Sequence, residues 1–71
     1  MEGTQTGTIK KLIISNGYGF ISPSNGGKDI FFNVNDMVDP MSFRELQGGE
    51  SVEFETTETP KGVKAIRVSL I

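Results

Sequence analysis

Two apolar runs with a period of two stand out in the first half of the chain, Tyr18-Gly19-Phe20-Ile21 and, after a short polar interval, Ile30-Phe31-Phe32-Asn33. In an extended strand successive side chains point to opposite faces. Tyr18 and Phe20 therefore share one face and Ile21 takes the other, while Phe31 and Asn33 oppose Ile30 and Phe32. If the two strands pair, Tyr18, Phe20 and Phe31 gather on one side and Ile21, Ile30 and Phe32 on the other. Only one side of a small sheet can be core, so three rings are left on the solvent side, and an exposed aromatic cluster signals a binding surface.

The rest of the pattern is also read as strands. β-Branched Thr8, Ile9, Ile13 and Ile14 predict a strand over residues 6–14, ended by the turn residues Ser15-Asn16-Gly17. The second strand covers 18–22 and stops at Pro23, which cannot donate to a ladder. Ser24-Asn25-Gly26-Gly27 reads as a hairpin loop leading to a third strand over 29–33. Between 34 and 49 the alternation fades: Asn35 is expected to cap one helical turn over 36–38 that Pro40 ends, with 42–47 as loop or a short turn. A fourth strand over 51–57 sends Val52 and Phe54 inward and its glutamates to water. After a turn at 59–62, the fifth strand over 63–70 places Val63, Ala65, Arg67 and Ser69 on one side and Lys64, Ile66, Val68 and Leu70 on the other.

Five short strands without a long helix predict an all-β fold, a five-stranded antiparallel barrel whose closure removes aggregation-prone edges. Its expected core is Ile9, Ile21, Ile30, Phe32, Leu46, Val52, Phe54 and Val68, with Val63 or Ile66. The non-alternating Leu12-Ile13-Ile14 leaves the inward residues at the end of the first strand open.

Composition narrows the chemistry. The 71 residues suit one domain, residues 1–71. With no cysteine and no histidine the chain has no disulfide, thiolate or imidazole metal ligand, or histidine general base. Asp29, Asp36 and Asp39 form no recognised metal or acid–base spacing, so an enzyme is the least supported class, and neither metal nor cofactor is expected. There is no apolar stretch of membrane-spanning length, and Met1-Glu2-Gly3-Thr4-Gln5-Thr6 lacks signal-peptide regions, so a cytoplasmic location is expected. The net charge of −2 does not suit binding by bulk electrostatics alone. Its distribution is uneven: five glutamates against Arg44 make residues 44–58 net −4, while six basic and four acidic residues elsewhere give +2.

Gly7-Thr8-Ile9-Lys10, then Gly17-Tyr18-Gly19-Phe20-Ile21, then Lys28-Asp29-Ile30-Phe31-Phe32-Asn33-Val34 resemble a cold-shock domain. Phe43-x-x-Leu46, Gly48-Gly49, Val52-x-Phe54 and a terminal strand resemble its second half. The resemblance implies an OB-fold barrel that binds single-stranded RNA or DNA, acting as an RNA chaperone or regulator. It implies Tyr18, Phe20 and Phe31 as stacking residues, Lys10 as a phosphate contact and Phe43 as a loop aromatic at the site or over the barrel end. Lys11, Lys28 and Lys61 are further candidate phosphate contacts, and Asn33 is a candidate for a base edge.

The chain also departs from that family. The family's usual Lys-Trp-Phe-Asn is here Lys10-Lys11-Leu12-Ile13, and its His-Phe is Asn33-Val34. Three rings at about 1–3 kcal/mol each supply roughly 3–9 kcal/mol before ordering costs, enough for micromolar binding but weaker than with the full motif. The alternative is an OB-type module whose aromatic patch holds a protein partner. A monomer is expected, although the long 34–49 connection would allow strand exchange.

Overall fold

The computed structural model describes residues 3–71; Met1 and Glu2, where the signal-peptide reading begins, lie outside them. Five strands, β1 (Gln5–Ile13), β2 (Tyr18–Pro23), β3 (Ile30–Asn33), β4 (Ser51–Thr59) and β5 (Gly62–Leu70), close into a barrel in the order β1-β2-β3-β5-β4. Neighbours are antiparallel except at the seam, where β3 and β5 run parallel through the single pair Phe31–Lys64. The expectation of an antiparallel barrel is corrected at that one join. A partly buried ion pair supports the seam, Lys64 Nζ lying 2.9 Å from Asp36 Oδ2.

Ile9, Ile21, Phe32, Val52, Phe54, Ala65 and Val68 fill the barrel, and Met37, Phe43 and Leu46 complete its core. Ile30 is only half-buried against this core, and Val63, half exposed, is not part of it. Two bulges account for the phases that alternation missed. In β1 the pairs Ile9–Ile21 and Lys11–Phe20 leave Lys10 without a partner, and a one-residue slip exchanges the faces. Lys11 and Ile13 consequently point outward, and Leu12 packs inward on the core.

In β5 the pairing passes from Glu53–Ser69 to Glu55–Ile66, so Arg67 and Val68 together oppose Phe54. Ala65 and Val68, three residues apart, can then both face inward. Arg67 has φ 52°, the left-handed conformation that the first residue of such a bulge usually meets as glycine. Its long contact with Glu55, 3.7 Å between exposed groups, offsets little of that strain. Arg67→Asn is expected to stabilise the fold by about 1 kcal/mol, because asparagine tolerates this conformation. Thermal unfolding should show a rise of about 4–8 °C; an unchanged or lower melting temperature would refute the strain.

The 34–49 connection differs from its expected form. Asn33, not Asn35, caps a 3-10 turn over Val34–Asp36, its Oδ1 accepting from Asn35 N–H while Asp36 accepts from Asn33 N–H. Pro40 begins a second 3-10 helix, Pro40–Glu45, instead of ending the first. Asp39 caps it by accepting from Met41 N–H and the Ser42 hydroxyl, and proline suits the first helical position because it has no N–H to leave unpaired.

At the far end of the connection, Glu50 accepts from the N–H groups of Gln47 and Gly48 at 2.8 Å each. The Gln47 N–H is the main cause holding its carboxyl below the usual value of 4.5, against a smaller opposing effect of burial. Because the folded state lowers this pKa, the stabilisation is present above about 4.5 and is lost as pH falls through the folded-state value. Glu50→Gln should cost about 1 kcal/mol at pH 7 and progressively less towards pH 3. Urea unfolding at both pH values checks this; an equal cost at the two would contradict the carboxylate's role.

Candidate nucleic-acid interface

The outward surface of β1, β2, β3 and β5 carries two rows of side chains. Strand pairing aligns Lys11, Phe20, Phe31 and Lys64 in the first row and Ile13, Tyr18 and Asn33 in the second. Alternation along β2 and β3 selects the rings for this face, and the Lys10 bulge brings Lys11 onto it. The rings form one cluster: Tyr18–Phe31 centroids lie 5.5 Å apart, Phe20–Phe31 6.0 Å and Tyr18–Phe20 6.1 Å. All three are half-buried, so ring surface remains open to solvent.

Gly19 makes the platform compatible with the core beneath it. A Cβ there would lie 2.7 Å from the Lys11 carbonyl oxygen and 3.0 Å from both the Phe32 ring and Leu12. Any side chain would push the core away from the sheet, whereas glycine lets Phe32 pack directly under β2.

Cations surround the rings unequally. Lys10 is 3.0 Å from Asp29 Oδ2, and Lys64 is held by Asp36, so each positive charge already has an acidic partner. Among the described residues Lys11, Lys28 and Lys61 have no carboxylate partner. A groove of about 540 Å³ runs from Phe31 past Pro60, Lys61, Val63 and Lys64. A second, bordered by Lys28, Ile30, Lys61 and Val63, continues it between the β2–β3 and β4–β5 loops. Lys28 and Lys61 thus border a surface continuous with the rings.

The expected site needs one correction. Phe43 is only 2% exposed and meets Phe32 edge-on at 6.1 Å, so it belongs to the core and is absent from the face. Asn33 is on the face; its Oδ1 accepts from Asn35 N–H and caps the following turn, while its side-chain NH2 and the second Oδ1 lone pair have no partner among the described residues. Ile13 and Lys64 are on the face although sequence reasoning did not include them. The bulge hid Ile13, and Lys64 joins through the parallel seam, which alternation within one strand does not reveal.

The model of the 'Cold-shock' DNA-binding domain matches residues 5–71. The chain belongs to the cold-shock domain family. The cold shock-like protein CspA of Stigmatella aurantiaca is 42% identical over 66 residues, 93% of this chain and 96% of the relative. The major cold shock protein of Micrococcus luteus is 40% identical over 63 residues, covering 89% and 92%. The cold shock-like protein CspE of Buchnera aphidicola is 42% identical over 62 residues, covering 87% and 88%. Membership of the cold-shock domain family agrees with the closed barrel and with the outward ring cluster in its β2–β3 hairpin. Within this family fold, Lys11 occupies the ring-bearing face beside Phe20, and the Asn33-Val34 pair serves a turn and the core edge.

Proposed function

We propose that the chain binds single-stranded RNA or DNA across the Tyr18, Phe20 and Phe31 rings and acts as an RNA chaperone and cold-shock regulator. The observation that carries this reading is the ring cluster on an outward sheet face, in a fold whose core is complete without it. Unpaired bases stack on the rings, and the backbone passes Lys11, Lys28 and Lys61; a duplex must release its bases before it can form, so binding favours the unfolded strand. The reading requires no catalytic step, metal or cofactor. It treats residues 1–71 as one domain working as a monomer in the cytoplasm; among the described residues no helix is long and apolar enough to cross a membrane. Affinity is lower than with the full motif because Lys11 and Asn33 replace aromatic or imidazole contacts. A protein partner on the ring patch is the less favoured reading, since unpaired lysines border the rings.

Titration of labelled octathymidine, followed by anisotropy at several salt concentrations, tests it. Three phosphate contacts, by Lys11, Lys28 and Lys61, give a slope of log K against log salt near −2 for a single strand. A slope near zero would remove the phosphate contacts, and no binding by folded protein at high micromolar concentration would overturn the reading. Light scattering in the same buffer should give the mass of one chain; a dimer mass would favour strand exchange.

A further inference from the structure

The tripeptide Ser-Asn-Gly occurs twice in the chain, as Ser15-Asn16-Gly17 before β2 and as Ser24-Asn25-Gly26 after it. An asparagine followed by glycine is open to cyclisation, because glycine has no side chain to obstruct attack by its backbone nitrogen on the preceding side-chain amide. The same three residues give the two sites the same intrinsic reactivity, so a difference between them comes from the fold.

The fold holds them differently. Gly17 N–H donates to two carbonyls, those of Ile13 at 3.0 Å and Ile14 at 3.1 Å, and the Gly17 carbonyl accepts from Val34 N–H at 2.8 Å. The nitrogen that would attack Asn16 is thereby fixed in the turn leading into β2. Gly26 is exposed, with no atom within 4 Å of where a Cβ would stand. Its N–H donates to one carbonyl, that of Pro23 at 3.1 Å. Asn25 Oδ1 accepts from Gly27 N–H at 2.8 Å. That bond folds the side-chain carbonyl back along Gly26 and puts a donor on the oxygen where negative charge develops during attack.

We propose that Asn25 is a site of spontaneous deamidation that lowers the nucleic-acid affinity of the folded protein as it ages, while Asn16 is spared. The Gly26 nitrogen bonds to Asn25 Cγ, the bond from Cγ to the side-chain nitrogen breaks, and ammonia leaves carrying the Gly26 amide proton. Water then opens the cyclic imide at either carbonyl, giving aspartate or isoaspartate; the step needs no oxidant and no other reactant. Asn25 borders the groove that Lys28 and Lys61 also line, so the new carboxylate lies beside two of the cations assigned to phosphate. The effect on affinity rests on the single-strand reading above, whereas the modification itself does not.

The full chain is incubated at neutral pH for weeks, folded and in urea, and peptide mapping by mass spectrometry follows acid formation at both asparagines. In the folded protein Asn25 should react faster than Asn16 by about fivefold or more, the weight of one hydrogen bond, and in urea the two rates should converge. No acid at Asn25, equal rates in the folded protein, or a ratio unchanged by urea would overturn the site. Asn25→Asp should bind octathymidine about fivefold more weakly at 0.1 M salt, with a salt slope shallower by about 0.7, equivalent to one lost phosphate contact. During the incubation the parent should lose affinity in step with acid formation, while Asn25→Ser, which has no amide, should hold its own starting value. Affinity unchanged in Asn25→Asp would overturn the effect on binding alone, whereas failure of the fresh parent protein to bind would overturn the single-strand reading.

Discussion

Octathymidine affinity is expected to fall about 30-fold or more when Phe20 and Phe31 are both replaced by alanine, in a protein that still folds. Each ring stacks a base worth about 1–3 kcal/mol, so two removals cost at least roughly 2 kcal/mol of binding. Stability also falls, because the three ring contacts on the face are lost, but these half-exposed contacts lie at the low end of about 0.5–1.5 kcal/mol each. The enclosed Phe32 is different: truncating a core phenylalanine costs about 3–5 kcal/mol, comparable with the whole stability of a domain this small. Binding should therefore be measured at low temperature, with circular dichroism showing the β structure intact. Undiminished affinity in a folded double variant would exclude the ring cluster as the base platform.

The contrast between Phe31 and Phe32 was legible in the sequence because alternation, the simplest property of a strand, separates them. The same rule located Tyr18 and Phe20 and the barrel core of β2 and β4, while the turn residues Asn25-Gly26-Gly27 marked the hairpin between β2 and β3. It was insufficient wherever a strand contains an extra residue. Lys10 reverses the phase of β1, and the Arg67 bulge sets Ala65 and Val68 on one side; neither lysine nor arginine carries the glycine signal by which a bulge is often anticipated.

Phe43 illustrates a second kind of obstacle. A single aromatic residue in a connection has no period, and only the fold determines whether it covers the barrel or faces a ligand. Here the Asp39-capped 3-10 helix delivers it to Phe32. Pro40 was equally ambiguous, since proline is suited both to following a helix and to occupying its first position; the cap supplied by Asp39 settles which. The ion pairs were invisible for a related reason. Lys10–Asp29 and Lys64–Asp36 join residues from different elements, and they reduce the cations free for phosphate more than net charge suggests.

Lys11→Trp is expected to raise affinity, and by a larger factor the higher the salt. Lys11 is exposed, outward and aligned with Phe20, so an indole there extends the platform by one ring without entering the core. The new ring adds about 1–3 kcal/mol of stacking, roughly 5- to 150-fold. The substitution also removes a cation, and one lost phosphate contact changes the salt slope by about 0.7, which is roughly a fivefold penalty at 0.1 M salt and almost none at 1 M. The weakest stacking expected would only balance the lost charge at 0.1 M, whereas any stronger stacking wins, and at 1 M the gain from stacking is nearly undiminished. Titrations of parent and variant across that range should give lines of different slope, the variant's shallower and above the parent's at high salt. Parallel lines would mean that Lys11 does not contact phosphate, and a variant weaker than the parent at 1 M salt would mean that the strand does not pass over this end of the ring cluster.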